Sequence, residues 1–124
     1  MNNSNDLKNL TISSDKTMSD AMHKLNENIR GICFITNNNV LVGLITDGDI
    51  RRALLNDFTK ESLIESFMNK NFVSLSSSAP SEEIKKKLSN KIKYIPLTNE
   101  KKELVDYASF ENFRTIPVME PKLS

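Results

Sequence analysis

The chain has 124 residues, 38% hydrophobic and 27% charged, enough for one compact domain and too short for the usual multi-domain enzyme. Seventeen basic against sixteen acidic side chains leave a formal charge of +1, so the sequence-independent attraction that drives nucleic-acid binding is missing. The single cysteine, Cys33, lies in the apolar run Ile32-Cys33-Phe34-Ile35; it excludes an intrachain disulfide and fits a reducing compartment as a buried structural thiol. No apolar stretch approaches the roughly 20 residues of a membrane span, and the first nine residues lack the charged-then-apolar pattern of a secretory signal. A cytoplasmic protein with neither membrane nor nucleic acid as partner is expected.

Residues 1–9 are polar, rich in Asn, and read as a flexible leader. Leu10-Thr11-Ile12 alternates like a short strand, and Thr17-Met18-Ser19-Asp20 offers a capping box for a helix whose stripe is Met18, Ala21, Met22, Leu25 and Ile29, closed by Asn28 and Gly31. Residues 32–35 and 40–45 are apolar, β-branched runs around an Asn37-Asn38-Asn39 turn, which predicts an antiparallel hairpin with both faces covered. After Thr46 the spacing of Ile50, Ala53 and Leu54 is helical again. Leu63, Ile64, Phe67 and Met68 then make residues 57–71 a connector helix.

The same order of elements returns further on. A shift of 63 residues lays Leu10-Thr11-Ile12 on Val73-Ser74-Leu75, Leu25 on Leu88, Ile29 on Ile92, Ile32 on Ile95 and Leu41-Val42 on Leu104-Val105, with no gap. Pro80 suits the first turn of the second helix. The fold class is therefore α+β: two β-α-β-β-α repeats, residues 10–56 and 72–113, each too small to stand alone and so packed on one another through their sheets.

The most specific chemistry lies in Gly43-Leu44-Ile45-Thr46-Asp47-Gly48-Asp49, where a strand ends in a hydroxyl and two carboxylates and turns into a helix. Free N–H groups at a helix start favour an anion such as phosphate, and an Asp one turn in offers two acceptor oxygens to the hydroxyls of a ribose. Thr46 and Asp49 together suggest a nucleotide, while a pair of carboxylates that merely caps the helix remains an open alternative. An aspartate-nucleophile phosphatase would need further groups from parallel strands that the remaining chain does not supply. A calcium loop lacks oxygen ligands at Ile50, Arg51 and Arg52. His23 has no second ligand at metal spacing, and Lys85-Lys86-Lys87 after Glu82-Glu83 reads as a solvated helix face.

Two β-α-β-β-α repeats with Gly-hydrophobic-hydrophobic-Thr-x-x-Asp closing the first hairpin resemble a tandem pair of cystathionine-β-synthase (CBS) domains, a Bateman module, over residues 10–113. The resemblance implies that Thr46 meets phosphate, that Asp49 meets ribose, and that Ile12, Ser13, Arg30 and Ile32 line the base pocket. In the second repeat Asp106 replaces the motif Gly, Ser109 keeps the hydroxyl and Asn112 replaces the ribose-binding Asp. One good site is thus expected on the first repeat, with Tyr94 and Lys93 of the second as stacking and phosphate contacts. The resemblance further implies a regulatory ligand such as AMP, ADP or ATP, no catalytic cofactor and no enzymatic activity. It also implies a homodimer formed through helices near Leu54, Leu55 and Phe67. Residues 114–124, with Pro117 and Pro121, resemble the entrance to pyridoxal-phosphate sugar aminotransferases, so they are expected to link the module to an attached enzyme domain. The alternative is a degenerate pair without ligand that only dimerises its parent protein.

Overall fold

Two three-stranded sheets of the same design organise residues 4–110, which the computed structural model describes. In the first, β1 (Thr11–Ser13) runs parallel to β2 (Ile32–Asn37), which pairs antiparallel with β3 (Val40–Thr46). In the second, β4 (Leu75–Ser76), β5 (Tyr94–Thr98) and β6 (Leu104–Ser109) repeat that order. The helices are α1 (Ser4–Asn9), α2 (Met18–Asn28), α3 (Asp47–Leu55) and α4 (Ser81–Lys87).

Local chemistry accounts for the first repeat. Asp20 N–H donates to the Thr17 hydroxyl at 3.3 Å and Thr17 N–H to Asp20 Oδ2 at 3.0 Å, the reciprocal cap that starts α2. The hydrogen bond from the Thr17 backbone, reinforced by the Thr17 hydroxyl, holds the Asp20 carboxyl below its ordinary range. The β2–β3 hairpin turns through Asn38 and Asn39, both at positive φ (52° and 72°), as a two-residue turn matched to strand twist requires.

Strand alternation then sorts the side chains into layers. Cys33, Ile35 and Ile45 face α2 and α3 and pack on Met18, Leu25 and Ile50; Ile95, Leu97 and Ala108 do the same against Ile84 of α4 and Leu88 just after it. The opposite faces meet in a seam of Leu10, Ile32, Phe34, Leu41 and Tyr107, flanked by Leu44, Tyr94 and Leu104. The repeats also join at their hairpin tips, where Leu41 N–H donates to Lys102 O and Leu104 N–H to Asn39 O.

The repeat register needs one correction. Ile32 lies opposite Thr46, whereas Tyr94, not Ile95, lies opposite Ser109. The strand β5 is thus offset by one residue from the gapless alignment, and the longer second hairpin turn takes up the difference. Apolar character cannot distinguish the two alignments, because both faces of the sheet are covered. Each repeat also carries a bulge. Ile35 pairs with Gly43 but Thr36 with Leu41, leaving Val42 as the extra residue, and Val105 holds the same position in the second repeat.

Three expected elements differ. Residues 4–9 are not a featureless leader: α1 docks through the half-buried Leu7 on the seam, and the Thr11 hydroxyl donates to Leu7 O at 2.6 Å. The connector is not a helix but a loop with one 3-10 turn (Ile64–Ser66). Its backbone is committed elsewhere, since Met18 N–H donates to Ser62 O, Ser19 N–H to Lys60 O and Ile64 N–H to Lys16 O. Val73 falls before β4 rather than within it. The expected linker at 114–124 and Asn112 lie outside the described residues.

The connector then crosses the edge of β3, exchanging hydrogen bonds between Leu44 and Asn69 at 2.9 Å in both directions. A β-carbon on Gly43 would stand 2.6 Å from Met68 Sδ and 3.2 Å from Asn69 O. Gly43→Val should therefore destabilise the protein by about 1–3 kcal/mol in urea unfolding, the usual penalty for overpacking. Burial pushes the Cys33 thiol up to about 12. Cys33 should resist a thiol reagent at pH 8 in the native protein and react fully in denaturant. Because its folded value lies above its ordinary 9.0, its contribution to stability should be complete below pH 9 and fade as pH rises toward 12.

Candidate functional site

At one end of the seam the sheets part to leave a cleft of 430 Å³, within the range of about 300–1,000 Å³ usual for small-molecule sites. Ile32, Leu44, Phe72, Val73, Ile92 and Tyr94 give it apolar walls, and Arg30, Thr46, Asn69, Lys91 and Lys93 give it a polar rim. Both repeats and the connector contribute.

Backbone geometry presents Arg30. The buried Asn28 donates through Nδ2 to Asn9 O and Ile32 O at 3.2 and 3.1 Å, while its Oδ1 accepts from Arg30 N–H at 2.8 Å. Around it the chain reverses through Ile29 (φ 49°) and Gly31 (φ 77°). Glycine is required at 31, because a β-carbon there would also stand 3.1 Å from Asp47 Oδ2. Arg30 Nη1 reaches across the repeats to donate to the Tyr107 hydroxyl at 3.1 Å. Burial raises that hydroxyl above its ordinary pKa, keeping it a neutral partner.

Thr46 ends β3 and caps α3. Its hydroxyl accepts from Asp49 N–H at 3.2 Å and donates to Asp49 Oδ2 at 3.0 Å, and its own N–H donates to the same oxygen at 2.9 Å. The other carboxylate oxygen, Oδ1, accepts from Arg52 at 2.7 Å. The helix is thus capped as the alternative anticipated, but by Thr46 with Asp49 and not by the pair Asp47 and Asp49; the cap uses Oδ2, and Arg52 holds Oδ1. Arg52 is largely exposed, so its hold on Oδ1 is of the kind worth about 0–1 kcal/mol.

Of the expected binding residues, Arg30, Ile32, Thr46, Tyr94 and Lys93 come together on the cleft, with Asp49 bonded directly to Thr46. Ile12 and Ser13 do not. The strand β1 pairs on the far side of β2 from β3; Ile12 points into the core under α2, and Ser13 sits opposite Thr36, at the hairpin-tip end of the strand. Both line a shallow depression with Asp20, His23 and Glu27 instead. Ser109 is buried opposite Tyr94, outside the lining of this cleft. The lining residues that sequence reasoning missed include Leu44, Asn69, Phe72, Val73, Lys91 and Ile92. Gly43 was a signal for Asn69 alone, since a glycine in a strand marks a close backbone approach and the connector passes there at Met68 and Asn69. Among the described residues no three His, Cys, Asp or Glu side chains gather to hold a metal ion, and no helix is long and apolar enough to cross a membrane.

The CBS domain family matches residues 6–56 and again residues 64–115. The chain belongs to that family. It is a tandem CBS pair, and solved CBS structures share its fold. Staphylococcus aureus OpuCA superposes with a TM-score of 0.75 at 18% identity, over 88% of this chain and 91% of that one. CBSX2 from Arabidopsis thaliana gives 0.76 at 16%, over 94% and 92%. CBSX2 in complex with AMP gives 0.73 at 16%, over 88% and 87%. The CBS pair of MJ0100, in complex with 5-methylthioadenosine and S-adenosyl-L-methionine, gives 0.69 at 23%, over 86% and 89%. Comparison with curated proteins found no match.

Since Thr46 caps α3, Thr46→Ala should lower stability by about 1 kcal/mol in chemical unfolding. Thr46→Ser, which keeps the hydroxyl, should restore most of it.

Proposed function

We propose that this CBS pair is a regulatory module, without catalytic activity of its own, that binds an adenosine-type nucleotide such as AMP, ADP or ATP in the cleft beside Thr46. The reading rests on one observation: Arg30, Ile32, Thr46 and Tyr94, from both repeats, converge on a single cleft. The complexes of CBSX2 with AMP and of the MJ0100 CBS pair with 5-methylthioadenosine and S-adenosyl-L-methionine support an adenosine-type ligand. In this reading the base lies between the apolar walls, the ribose takes Asp49 Oδ1 in place of Arg52, and the phosphate receives the Thr46 hydroxyl. The cap would keep its two backbone hydrogen bonds while the hydroxyl proton turns. Because the walls belong to different repeats, a ligand that prefers one relative packing shifts the population of that packing. An attached enzyme domain would read the shift.

We also propose that the protein is cytoplasmic and a homodimer. Leu54 and Leu55 near the end of α3 are exposed, Leu55 by 76%, and a second copy would cover them. Phe67 does not join them, since it is half-buried against Phe58 with ring centroids 5.8 Å apart. The engagement of both Asp49 oxygens favours a second reading, a module that dimerises its parent without ligand.

A thermal-shift screen of AMP, ADP, ATP, guanosine and cytidine nucleotides and S-adenosylmethionine separates the two. A native-state ligand at 100 times its dissociation constant stabilises by about 2.7 kcal/mol, and Asp49→Ala should weaken binding by about 1.5–3 kcal/mol, the usual value of a hydrogen bond to a charged group. A flat response to every compound would leave the dimerisation module.

A further inference from the structure

We infer that the cleft takes its nucleotide as a di- or triphosphate, in preference to a monophosphate, an uncharged nucleoside or a cationic sulfonium; this rests on the nucleotide reading above. Arg30, Lys91 and Lys93 line the cleft, and no Asp or Glu is among the described residues that do. Neither Asp49, whose Oδ2 is committed to the Thr46 cap, nor Asp47, whose Oδ2 would stand 3.1 Å from a β-carbon on Gly31, is part of the lining.

The cations are arranged as well as counted. Thr46 and Arg30 belong to the first repeat, whereas Lys91 and Lys93 stand on the loop that enters β5 of the second. That loop is a built feature. The Ser89 hydroxyl accepts from Lys91 N–H at 3.1 Å and Ile92 N–H at 3.0 Å, Ser89 N–H donates to Ile92 O at 2.9 Å, and Phe110 N–H donates to Lys93 O at 2.7 Å. The backbone beneath both lysines is therefore fixed before any ligand arrives, which lowers the cost of binding. On the first repeat, Arg30 spends one bond on Tyr107, and a guanidinium has five donors in a planar fork.

A phosphate monoester brings about −1.5 to −2 charges at neutral pH, which one site at Thr46 would absorb while leaving the lysines of the other repeat unmatched. A second or third phosphate extends the anion across the cleft to them. A sulfonium in the same place would face three like charges.

The test is calorimetric titration of the full chain with ADP, AMP, adenosine and S-adenosylmethionine at low salt, repeated with the double variant Lys91→Ala/Lys93→Ala. ADP should bind at least about tenfold more tightly than AMP, as charge-assisted hydrogen bonds to an added phosphate would give. The double variant should bring ADP down to the level of AMP and leave adenosine unchanged; its melting curve should match that of the parent, since both lysines are exposed. AMP, adenosine or S-adenosylmethionine binding as tightly as ADP would overturn the inference and leave the nucleotide reading standing. Undiminished ADP affinity in the double variant would do the same. Binding of none of the four would overturn the nucleotide reading and this inference with it.

Discussion

The contact between the two sheets is the constraint on which everything else in the molecule depends. Leu10, Ile32, Phe34, Leu41 and Tyr107 fill it, with Phe34 and Tyr107 fully buried and their ring centroids 5.9 Å apart. Full burial of one such side chain stabilises by about 1.5–3 kcal/mol, and a repeat of this size exposes too much surface to fold without it. The cleft is a by-product of that packing. It opens where Ile32, Leu44 and Tyr94 carry the same apolar faces past the last point of contact. A ligand in the cleft therefore rests on a continuation of the core, and its walls cannot move independently of the way the repeats are packed.

Much of this was legible in the residues because local rules and long-range packing agree there. The Thr17–Asp20 box and the Asn turn each say the same thing from sequence and from structure, and of the expected α2 stripe Met18, Ala21 and Leu25 are buried, whereas Met22 and Ile29 are exposed. What was not legible depended on groups that pattern reading does not weigh. A polar run such as residues 4–9 looks disordered until a single Leu7 finds the seam. The connector has a helical spacing of apolar residues, but its backbone donors and acceptors are worth more to residues 16–19 than to itself. The offset of β5 was invisible because apolar residues occupy both faces of a covered strand. Ile12 and Ser13 were assigned to the cleft through the resemblance, but the parallel pairing of β1 puts β2 between them and Thr46.

Thr46 and Asp49 serve the fold whether or not a ligand is present, since together they cap α3. A motif under that double demand cannot be judged from its presence in a sequence: the cap explains it by itself. Its surroundings carry the distinction. The apolar walls, the tyrosine across the seam and the cations of the other repeat are not needed to start a helix, and they lie around the same cap.

The turn that carries Arg30 has a different character from the seam. Ile29 is a β-branched residue at a φ of 49° with its side chain 88% exposed, so its left-handed backbone is held by hydrogen bonds and not by side-chain packing: Ile29 N–H donates to Leu25 O, and Asn28 beside it accepts from Arg30 N–H. Such a conformation costs about 1–2 kcal/mol for an L-residue. The turn at the rim of the cleft thus carries a backbone cost that no residue of the seam behind it carries. Cost and support thus lie close together along the chain: Phe34 anchors the seam from within β2, and Arg30, four residues earlier, lines the cleft from the turn just before that strand.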